Sequence, residues 1–423
     1  MHTRIKALLI AEAANPEWAS VPLVGWSMAT AIARHADAHI VTQIRNREAF
    51  LRAGLQEGID FTCIDTEPLS RPLWKLAKFL RGGKGLAWTI QTAITSLSYP
   101  YFERLVWRQF GARIEAGEFD VVHRITPLTP TAPSSLARKV RRAGSQFILG
   151  PLNGGVPWPK DFDKERRRER EWLSYVRGVY KWMPGYRATI RYASRVFCGS
   201  RFTLSELPRK YIGKYVYEPE NGIDVTRFTE RCGPRAGGPL KLCFVGRLVP
   251  YKGADMVMRA AQQLRRDGLA TLDIVGDGPM MGELVALAAE LALGDSVRLH
   301  GWVRHENVEG LLASCHVLAF PSIREFGGGV VLEAMAVGLV PVVVDYAGPG
   351  ELVDDEVGFK VPMGDREQIV AHLAIVLKSL TLQPASELAA KADACVKRIA
   401  QRFTWDAKAE RMLAHYRELV AAR

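Results

Sequence analysis

The sequence is short of several features that would assign a protein class at once. Its six cysteines are scattered over 423 residues without a Cys-x-x-Cys pair, so we expect reduced core thiols and no disulfide framework. No apolar run approaches the ~20 residues needed to span a bilayer. The apolar stretch near the start is too short for a signal peptide. We therefore expect a cytoplasmic protein, soluble or peripheral on the inner face of the plasma membrane.

Common nucleotide and metal motifs are missing as well. There is no Walker loop, and Gly276-Asp277-Gly278 continues to Gly282 at the wrong spacing for a dinucleotide fingerprint. No group of His, Cys and Asp has the spacing of metal ligands. We therefore expect neither a metal site nor a resident cofactor.

Acidic residues are scarce in the first half of the chain. Residues 1–220 contain 34 Lys and Arg against 20 Asp and Glu, whereas residues 221–423 contain 23 against 25. The net charge of +12 therefore belongs to the first half. Such an asymmetry indicates an anionic partner for that half, either a membrane surface or a nucleic acid.

What is present is a regular alternation of short apolar runs and amphipathic stretches. The runs have the length of strands, and segments of 10–20 residues separate them, which predicts parallel sheets with helical crossovers. Two such sets predict an α/β protein with two doubly wound, Rossmann-like domains. The chain is rich in Gly and Pro around residues 219–239, which predicts the linker. We place the domains at 1–220 and 221–403, followed by an amphipathic helix over 404–423.

Two carboxylates in the second half, Glu325 and Glu333, flank three consecutive glycines. A strand-like run precedes them and an apolar run follows, so the segment predicts a strand, a Gly-rich turn and a helix start. Glycines allow backbone N–H groups to approach a ligand, and a helix N-terminus favours negative charge. Glu333 would lie about one turn inside that helix. Two surface glutamates beside a buried turn are the alternative.

Further strand ends in the same half carry cations or glycine. Arg247 and Lys252 follow one predicted strand, and Gly276 follows the next. Open α/β sheets bind ligands at the carboxyl ends of their strands. An Arg and a Lys at that edge would neutralise a diphosphate.

Together these motifs resemble those of the retaining group 1 (family 4) glycosyltransferases. The matching elements are Gly246-Arg247-Leu248 with Lys252-Gly253, Val275 to Pro279, and Pro321-Ser322 through Ala336. The resemblance implies a GT-B fold, with two domains facing a cleft and the last helix crossing back to the first domain. It also implies that Arg247 and Lys252 hold a donor diphosphate, that Glu333 binds the ribose, and that Glu325 with the amides of the glycines holds the sugar.

The predicted donor-binding residues therefore form one set. They are Arg247, Lys252, Gly276, Glu325, Phe326, Gly327, Gly328, Gly329, Val330 and Glu333. The family pattern has Gly-Phe-Gly after the first Glu, whereas here Phe326 comes first and the three glycines follow. This departure affects which amide meets which sugar hydroxyl.

The first domain should supply the acceptor site. His123 ends a strand-like run, and the resemblance implies that it contacts the donor sugar; the alternative is a structural histidine. Its neighbour Arg124 could equally contact a phosphate. Asn153, Gly154 and Gly155 form a predicted cleft loop, or else a plain tight turn. Gly25 stands where the family often has paired glycines touching the diphosphate. The predicted catalytic residues are His123, Glu325, Arg247 and Lys252.

The leading interpretation is a retaining glycosyltransferase that moves a sugar from a nucleoside diphosphate to an acceptor hydroxyl, in bacterial exopolysaccharide, lipopolysaccharide or glycolipid assembly. No carboxylate stands out as a nucleophile, so electrostatic stabilisation of the departing diphosphate would dominate, and a double displacement is disfavoured. One alternative is another GT-B enzyme, such as a sugar-phosphate-acceptor synthase. The other is a nucleic-acid-binding protein. Such a protein would need basic residues interleaved with aromatics on one sheet face, or a recognition helix, and neither is evident in the sequence.

Two basic, aromatic segments of the first half indicate an anionic membrane surface as a partner. Between Lys160 and Arg195 there are eleven Lys and Arg, including Arg166 to Arg168, against five acids, and Trp and Tyr residues interleave with them. Arg71 to Arg81 has the same character. This is the composition of a helix lying in a bilayer interface. A lipid-linked or glycan acceptor would then be met at a bilayer; the alternative is that the aromatics pack inward.

Overall fold

The structure, a computed structural model, describes residues 4–68, 87–168, 179–182, 184–235 and 237–422. The chain divides into two compact units. The first unit comprises residues 1–155, 169–220 and 405–423, and the second comprises residues 156–168 and 221–404. Among the segments from the sequence analysis, Arg71 to Arg81 and Trp172 to Arg177 lie outside the described residues.

The first unit contains a parallel sheet of seven strands in the order β3-β2-β1-β4-β5-β6-β7. Its strands are β1 (Lys6–Ala11), β2 (Asp37–Gln43), β3 (Phe61–Ile64), β4 (Val121–Thr126), β5 (Gln146–Leu152), β6 (Arg195–Cys198) and β7 (Tyr215–Tyr217). Every residue of β4 and β5 is buried. Strands covered on both faces are the rule in parallel sheets, and here the coverage also encloses His123 and Arg124 of β4.

Helices connect these strands in chain order. They are Val21–His35, Arg47–Arg52, Ala87–Glu115, Leu136–Arg142, Pro184–Tyr192, Arg201–Glu206 and, at the C-terminus, Trp405–Ala421. The helix Arg201–Glu206 begins at Ser200, whose side chain accepts a hydrogen bond from the Thr203 N–H. Such a cap satisfies one of the N–H groups left open at a helix start.

The second unit contains a parallel sheet of six strands in the order β10-β9-β8-β11-β12-β13. Its strands are β8 (Leu240–Val245), β9 (Ala270–Val275), β10 (Val297–Gly301), β11 (Val317–Phe320), β12 (Val340–Val344) and β13 (Phe359–Val361). The central strands β8 and β11 are neighbours, with Val317 paired to Leu242. Two doubly wound parallel sheets confirm the predicted fold class.

The helices of the second unit lie between and after these strands. They are Asp163–Arg168, Ala254–Arg266, Met281–Glu290, His305–Ala313, Gly329–Ala336, Ala347–Leu352, Arg366–Leu382 and Ala385–Arg398. Asp365 caps Arg366–Leu382 with a capping box, because its side chain accepts from the Gln368 N–H while the Gln368 side chain accepts from the Asp365 N–H.

The C-terminal helix Trp405–Ala421 packs on the first unit, as predicted. Its apolar stripe (Ala409, Met412, Leu413 and Tyr416) is fully buried in a core cluster that contains residues of β1, β4 and β6. Two polar contacts fix the helix further. The Tyr416 hydroxyl bonds the Nδ1 atom of His123 in β4. The fully buried Lys408 ammonium bonds Glu218, with 2.7 Å between Nζ and Oε1.

Glu218 is the centre of a buried charge cluster. It accepts from Lys408 and also from the Arg411 guanidinium, at 2.7 and 3.0 Å. Burial alone would raise the pKa of Glu218, but Lys408 and Arg411 hold it below its usual value. Removal of one partner from a buried ion pair is strongly destabilising, because the other charge is left buried without compensation.

No single described helix is long and apolar enough to cross a membrane. The helix Arg366–Leu382 and the helical stretch Ala385–Phe403 pass such a test only as a pair, with a bend of 112° between them.

We expect Glu218→Gln to lower the free energy of unfolding by about 3–5 kcal/mol, because it leaves the Lys408 charge buried without its counter-ion. Asp406→Asn is the matched control, since Asp406 pairs with Arg34 at 2.7 Å in a half-exposed setting on the same helix. That control should cost about 0–1 kcal/mol. Chemical denaturation of both variants measures the two effects. Equal losses would show that the buried cluster does not anchor the helix.

Candidate functional site

The loops that follow β8 and β9 interlock through their backbones. Leu248 donates its N–H to the Asp277 carbonyl at 3.0 Å, and Met280 donates to the Leu248 carbonyl at 3.1 Å. A Cβ atom on Gly276 would lie 1.9 Å from the Gly246 carbonyl oxygen, so only glycine allows this approach. The predicted Gly276 therefore shapes the turn that presents Arg247, whose side chain is exposed.

Lys252 and Glu325 form an ion pair at the carboxyl ends of the neighbouring strands β8 and β11. Their side chains are 16% and 22% exposed, respectively. Burial and, to a smaller extent, the positive charge of Arg324 together lower the pKa of Lys252 to about 8. The Lys252 ammonium also lies 5.2 Å from the centre of the Phe320 ring. Lys252 and Glu325, which were predicted to bind different parts of the donor, are thus brought together in a partly dehydrated setting, where electrostatic interactions are strong.

The glycines after Glu325 form the turn into the helix Gly329–Ala336. Gly328 is the residue before the helix and has φ 58°, ψ 36°, a left-handed conformation that favours glycine. Gly327 lies directly beside the amide group of Asn221, because a Cβ atom there would be 2.3 Å from Asn221 Nδ2. Glu333 lies on the helix itself and is half-buried. The strand, glycine turn and helix start predicted for this segment are all present.

The loop after β12 supports the same turn. Gly348 donates its N–H to the Glu325 carbonyl at 3.1 Å and packs against the Phe326 carbonyl. Gly348 therefore holds the backbone of Glu325, while the Glu325 carboxylate pairs with Lys252. Three strand-end loops, after β8, β11 and β12, converge on Glu325.

Three residues at this site were missed by the sequence analysis. Asn221 was assigned to the linker, yet its amide lies against Gly327. Arg324 was overlooked beside Glu325, although its guanidinium stacks on Trp158 and Tyr251 at 4.8 and 5.9 Å. Trp158 lies in the part of the chain assigned to the first domain, whereas residues 156–168 belong to the second unit. Only the Trp-Pro pair in a Pro-rich stretch hinted at an ordered segment there.

His123 occupies a different environment from the one predicted. Its side chain is fully buried within β4. Its Nε2 atom donates to the Gly150 carbonyl at 2.7 Å, and its Nδ1 atom accepts from Tyr416. Burial lowers the pKa of His123 to about 4, so the ring is neutral at pH 7. With its side chain buried and both nitrogens bonded, His123 has the surroundings of the structural histidine given above as the alternative, and its catalytic role stays a prediction.

Arg124 is also an interior residue. It is 1% exposed, donates to the Ala132 carbonyl at 2.6 Å and lies over the Tyr99 ring at 5.5 Å. Gly25 lies in the helix Val21–His35, where a Cβ atom would be 2.1 Å from the Ala13 carbonyl oxygen. Both residues pack the first unit's interior, and neither presents a group to solvent there.

The loop Asn153 to Gly155 is held by its own hydrogen bonds. The Asn153 side chain accepts from the Gly155 N–H at 2.8 Å and donates to Glu220 at 2.9 Å, and the Gly154 N–H donates to Thr203 at 2.9 Å. Burial raises the pKa of Glu220 to about 7. The tight turn proposed as the alternative for this loop is present, and the loop stays a candidate for acceptor contact.

No group of three or more His, Cys, Asp or Glu side chains within the described ranges could hold a metal ion.

Comparison with known proteins gives a family for part of the chain. Residues 228–392 match the family model of the group 1 glycosyl transferases. The putative colanic acid biosynthesis glycosyltransferase WcaL of Salmonella typhimurium is 34% identical over 161 residues, which cover 36% of this chain and 40% of that protein. The D-inositol 3-phosphate glycosyltransferase of Saccharomonospora viridis is 35% identical over 219 residues, covering 48% and 49%. The chain thus spans about half or less of the length of these relatives.

Solved structures resemble the chain along almost its whole length. Anabaena HepE, in complex with UDP, aligns with a TM-score of 0.62 at 17% identity, covering 98% of this chain and 100% of HepE. Sucrose-phosphate synthase from Thermosynechococcus elongatus aligns with a TM-score of 0.58 at 18% identity, covering 99% and 100%. At such identities the likeness concerns the fold. Residues 228–392 therefore resemble the group 1 glycosyl transferases, in a chain of GT-B fold.

Proposed function

We propose that the protein is a glycosyltransferase that moves a sugar from a nucleoside diphosphate to an acceptor hydroxyl. The observation that carries the proposal is the Lys252–Glu325 pair beside the glycine turn and helix start, at the carboxyl edge of the second sheet. That edge is where open α/β sheets bind nucleotides. The family match over residues 228–392 covers the same elements.

The cations at this edge suit a diphosphate. Arg247 is exposed on the loop after β8 and Lys252 follows it on the same loop, so both can reach an anion from one side. A bound diphosphate would compete with Glu325 for the Lys252 ammonium, and Glu325 would then be free to accept from sugar hydroxyls. Phe326 and Val330 flank the glycine turn and would line the sugar's position. The departing diphosphate would be stabilised by these charges and by the helix start, with no resident cofactor or metal.

We propose further that the anomeric configuration is retained, as the motif resemblance implies. Glu325 accepts from hydroxyls of the donor sugar in this account, so a glycosyl-enzyme intermediate on Glu325 is disfavoured. Two relatives are named for colanic acid and amylovoran biosynthesis. These names support a glycan or lipid-linked acceptor in bacterial polysaccharide assembly.

A donor panel tests the proposal directly. The protein is incubated with UDP- and GDP-linked sugars and candidate acceptors, release of nucleoside diphosphate is measured, and the product anomer is assigned by NMR. Transfer with the donor's own anomeric configuration supports the proposal. An inverted product would refute retention, and a phosphorylated sugar as the only acceptor would favour the sugar-phosphate-acceptor synthase alternative. Affinity for short DNA without affinity for either nucleotide would favour nucleic-acid binding.

Lys252→Ala should lower kcat/KM for the donor, because it removes about 2–4 kcal/mol of transition-state binding energy. The melting temperature should change little. Lys378→Ala is the matched control, because Lys378 is exposed on the helix Arg366–Leu382. In the wild type, kcat/KM should fall as the pH rises through about 8, because the protonated form of Lys252 binds the diphosphate. Normal turnover in Lys252→Ala would show that the donor assignment is wrong.

Glu333→Gln should weaken binding of the free nucleoside diphosphate, because a carboxylate that accepts from two ribose hydroxyls becomes an amide with only one acceptor. Glu325→Gln should instead lower turnover with little effect on affinity for the free nucleotide. Isothermal titration with UDP and GDP, followed by donor kinetics, separates the two effects. Equal losses of nucleotide affinity would contradict this division of roles.

We also propose that the first unit binds an anionic membrane surface. Within the described residues, the Trp182 side chain is 81% exposed, and Arg187 and Arg191 are exposed nearby in sequence. Tyr186, by contrast, is buried, so one of the interleaved aromatics packs inward. Arg166 pairs with Asp163 at 2.9 Å and belongs to the second unit. The proposal therefore rests on Trp182, Arg187 and Arg191.

Co-sedimentation with vesicles tests this partner. Binding should require anionic lipid and should weaken as salt rises, because each basic residue contributes about 1 kcal/mol near such a surface. Arg187→Ser with Arg191→Ser should reduce binding. Lys378→Ser with Lys397→Ser removes the same charge from exposed sites of the second unit and should not reduce it. No binding to anionic vesicles at low salt would end the proposal.

A further inference from the structure

A stretch from the first half of the chain packs on the loops of the candidate donor site. Residues 156–168, which we call the strap, leave the first unit after Gly155 and join the second. Phe162 is fully buried in the second unit's core, and Trp158 is 9% exposed in the same cluster. At the far end of the strap, Glu165 lies 3.7 Å from Arg366, which also pairs with Asp255. The strap is therefore anchored at both ends.

Trp158 makes the strap's contacts nearest to the site. Its ring meets the Tyr251 ring edge to face, with centroids 5.9 Å apart and an angle of 86°. The Arg324 guanidinium lies 4.8 Å from the centre of the Trp158 ring. An indole gives the strongest cation–π interaction, and the interaction gains from exclusion of water. Trp158, Tyr251 and Arg324 thus form a compact cluster, which we call the aromatic clamp.

The aromatic clamp is adjacent in sequence to both charges of the candidate site. Tyr251 precedes Lys252 and Arg324 precedes Glu325, so the clamp grips the residue before each partner of the ion pair. The two loops are also joined directly, because Ile323 donates its N–H to the Tyr251 carbonyl at 3.0 Å. A displacement of Arg324 or Tyr251 would pass to Glu325 or Lys252 through one peptide bond.

The strap also contacts the third loop that converges on the site. The Tyr346 hydroxyl donates to the Pro157 carbonyl at 2.9 Å. Tyr346 precedes the turn in which Gly348 donates to the Glu325 carbonyl. Pro157 and Trp158 therefore meet the loops after β8, β11 and β12, the same three loops that hold Glu325.

We propose that Trp158 is a positioning residue of the donor site, which fixes Lys252 and Glu325 through its contacts with Tyr251 and Arg324. The inference rests on the proposed function, because it assigns Trp158 a role in binding the nucleoside diphosphate of the donor. Misplacement of functional groups by about 1 Å can lower the activity of a site by up to about a hundredfold. The loss of a supporting ring should therefore have a measurable effect on nucleotide affinity.

Calorimetric titration of UDP and GDP into purified full-length protein tests the inference. Trp158→Ala should weaken the affinity of whichever nucleotide the wild type binds by roughly tenfold. Trp158→Phe keeps an aromatic face for Arg324 and should recover most of that affinity. Leu377→Ala is the control for stability, because Leu377 is fully buried in the second unit's core on the helix Arg366–Leu382, which contributes no residue to the aromatic clamp.

The outcomes separate the inference from the proposed function. If the wild type binds neither UDP nor GDP, the proposed function fails. If the wild type binds and Trp158→Ala binds equally well, the inference fails while the proposed function stands. If Leu377→Ala loses as much affinity as Trp158→Ala below both melting temperatures, or Trp158→Phe recovers nothing, Trp158 has a structural role only.

Discussion

The partly buried ion pair between Lys252 and Glu325 is the interaction on which the account of the second unit depends. Two opposite charges at the ends of neighbouring strands are kept together only if their loops have fixed backbones, because removal from water is costly for each. The structure meets this requirement with the Gly276 contact that locks the loop after β8 and the Gly348 hydrogen bond that holds Glu325. The same rigidity pre-organises the pair for an anionic, hydroxylated ligand.

The sequence was sufficient to predict the fold and the strand, glycine turn and helix start of the second unit's candidate site. Strand-like runs located most strands, as for the run 120–125 against the strand Val121–Thr126, but the run 146–149 ended three residues before the strand Gln146–Leu152 does, and the strand Phe359–Val361 was not predicted. Lys252, Glu325 and the glycine turn each follow a predicted strand in the sequence. They could therefore be placed at the carboxyl edge of the sheet. Contacts between distant segments were not predictable in this way. Asn221 beside Gly327 and Trp158 over Arg324 depend on how separate loops fold together.

The first unit shows that residues near a strand end can be enclosed by distant elements. His123 and Arg124 are polar residues in β4, and an exposed position would suit catalysis, yet every residue of β4 is buried. The structure satisfies His123 internally, through the Gly150 carbonyl and a tyrosine from the C-terminal helix. That tyrosine lies 293 positions away along the chain, so no local pattern could reveal it. Buried polar groups are generally hydrogen-bonded, and here one partner comes from a distant helix.

The measurement that tests the central claim most directly is a crystal structure of the protein with UDP or GDP bound. The account predicts the diphosphate against Arg247, Lys252 and the start of the helix Gly329–Ala336, with the ribose hydroxyls on Glu333. It also predicts that Lys252 leaves Glu325 for the phosphate. A nucleotide bound elsewhere, or a diphosphate that contacts neither Arg247 nor Lys252, would contradict the account.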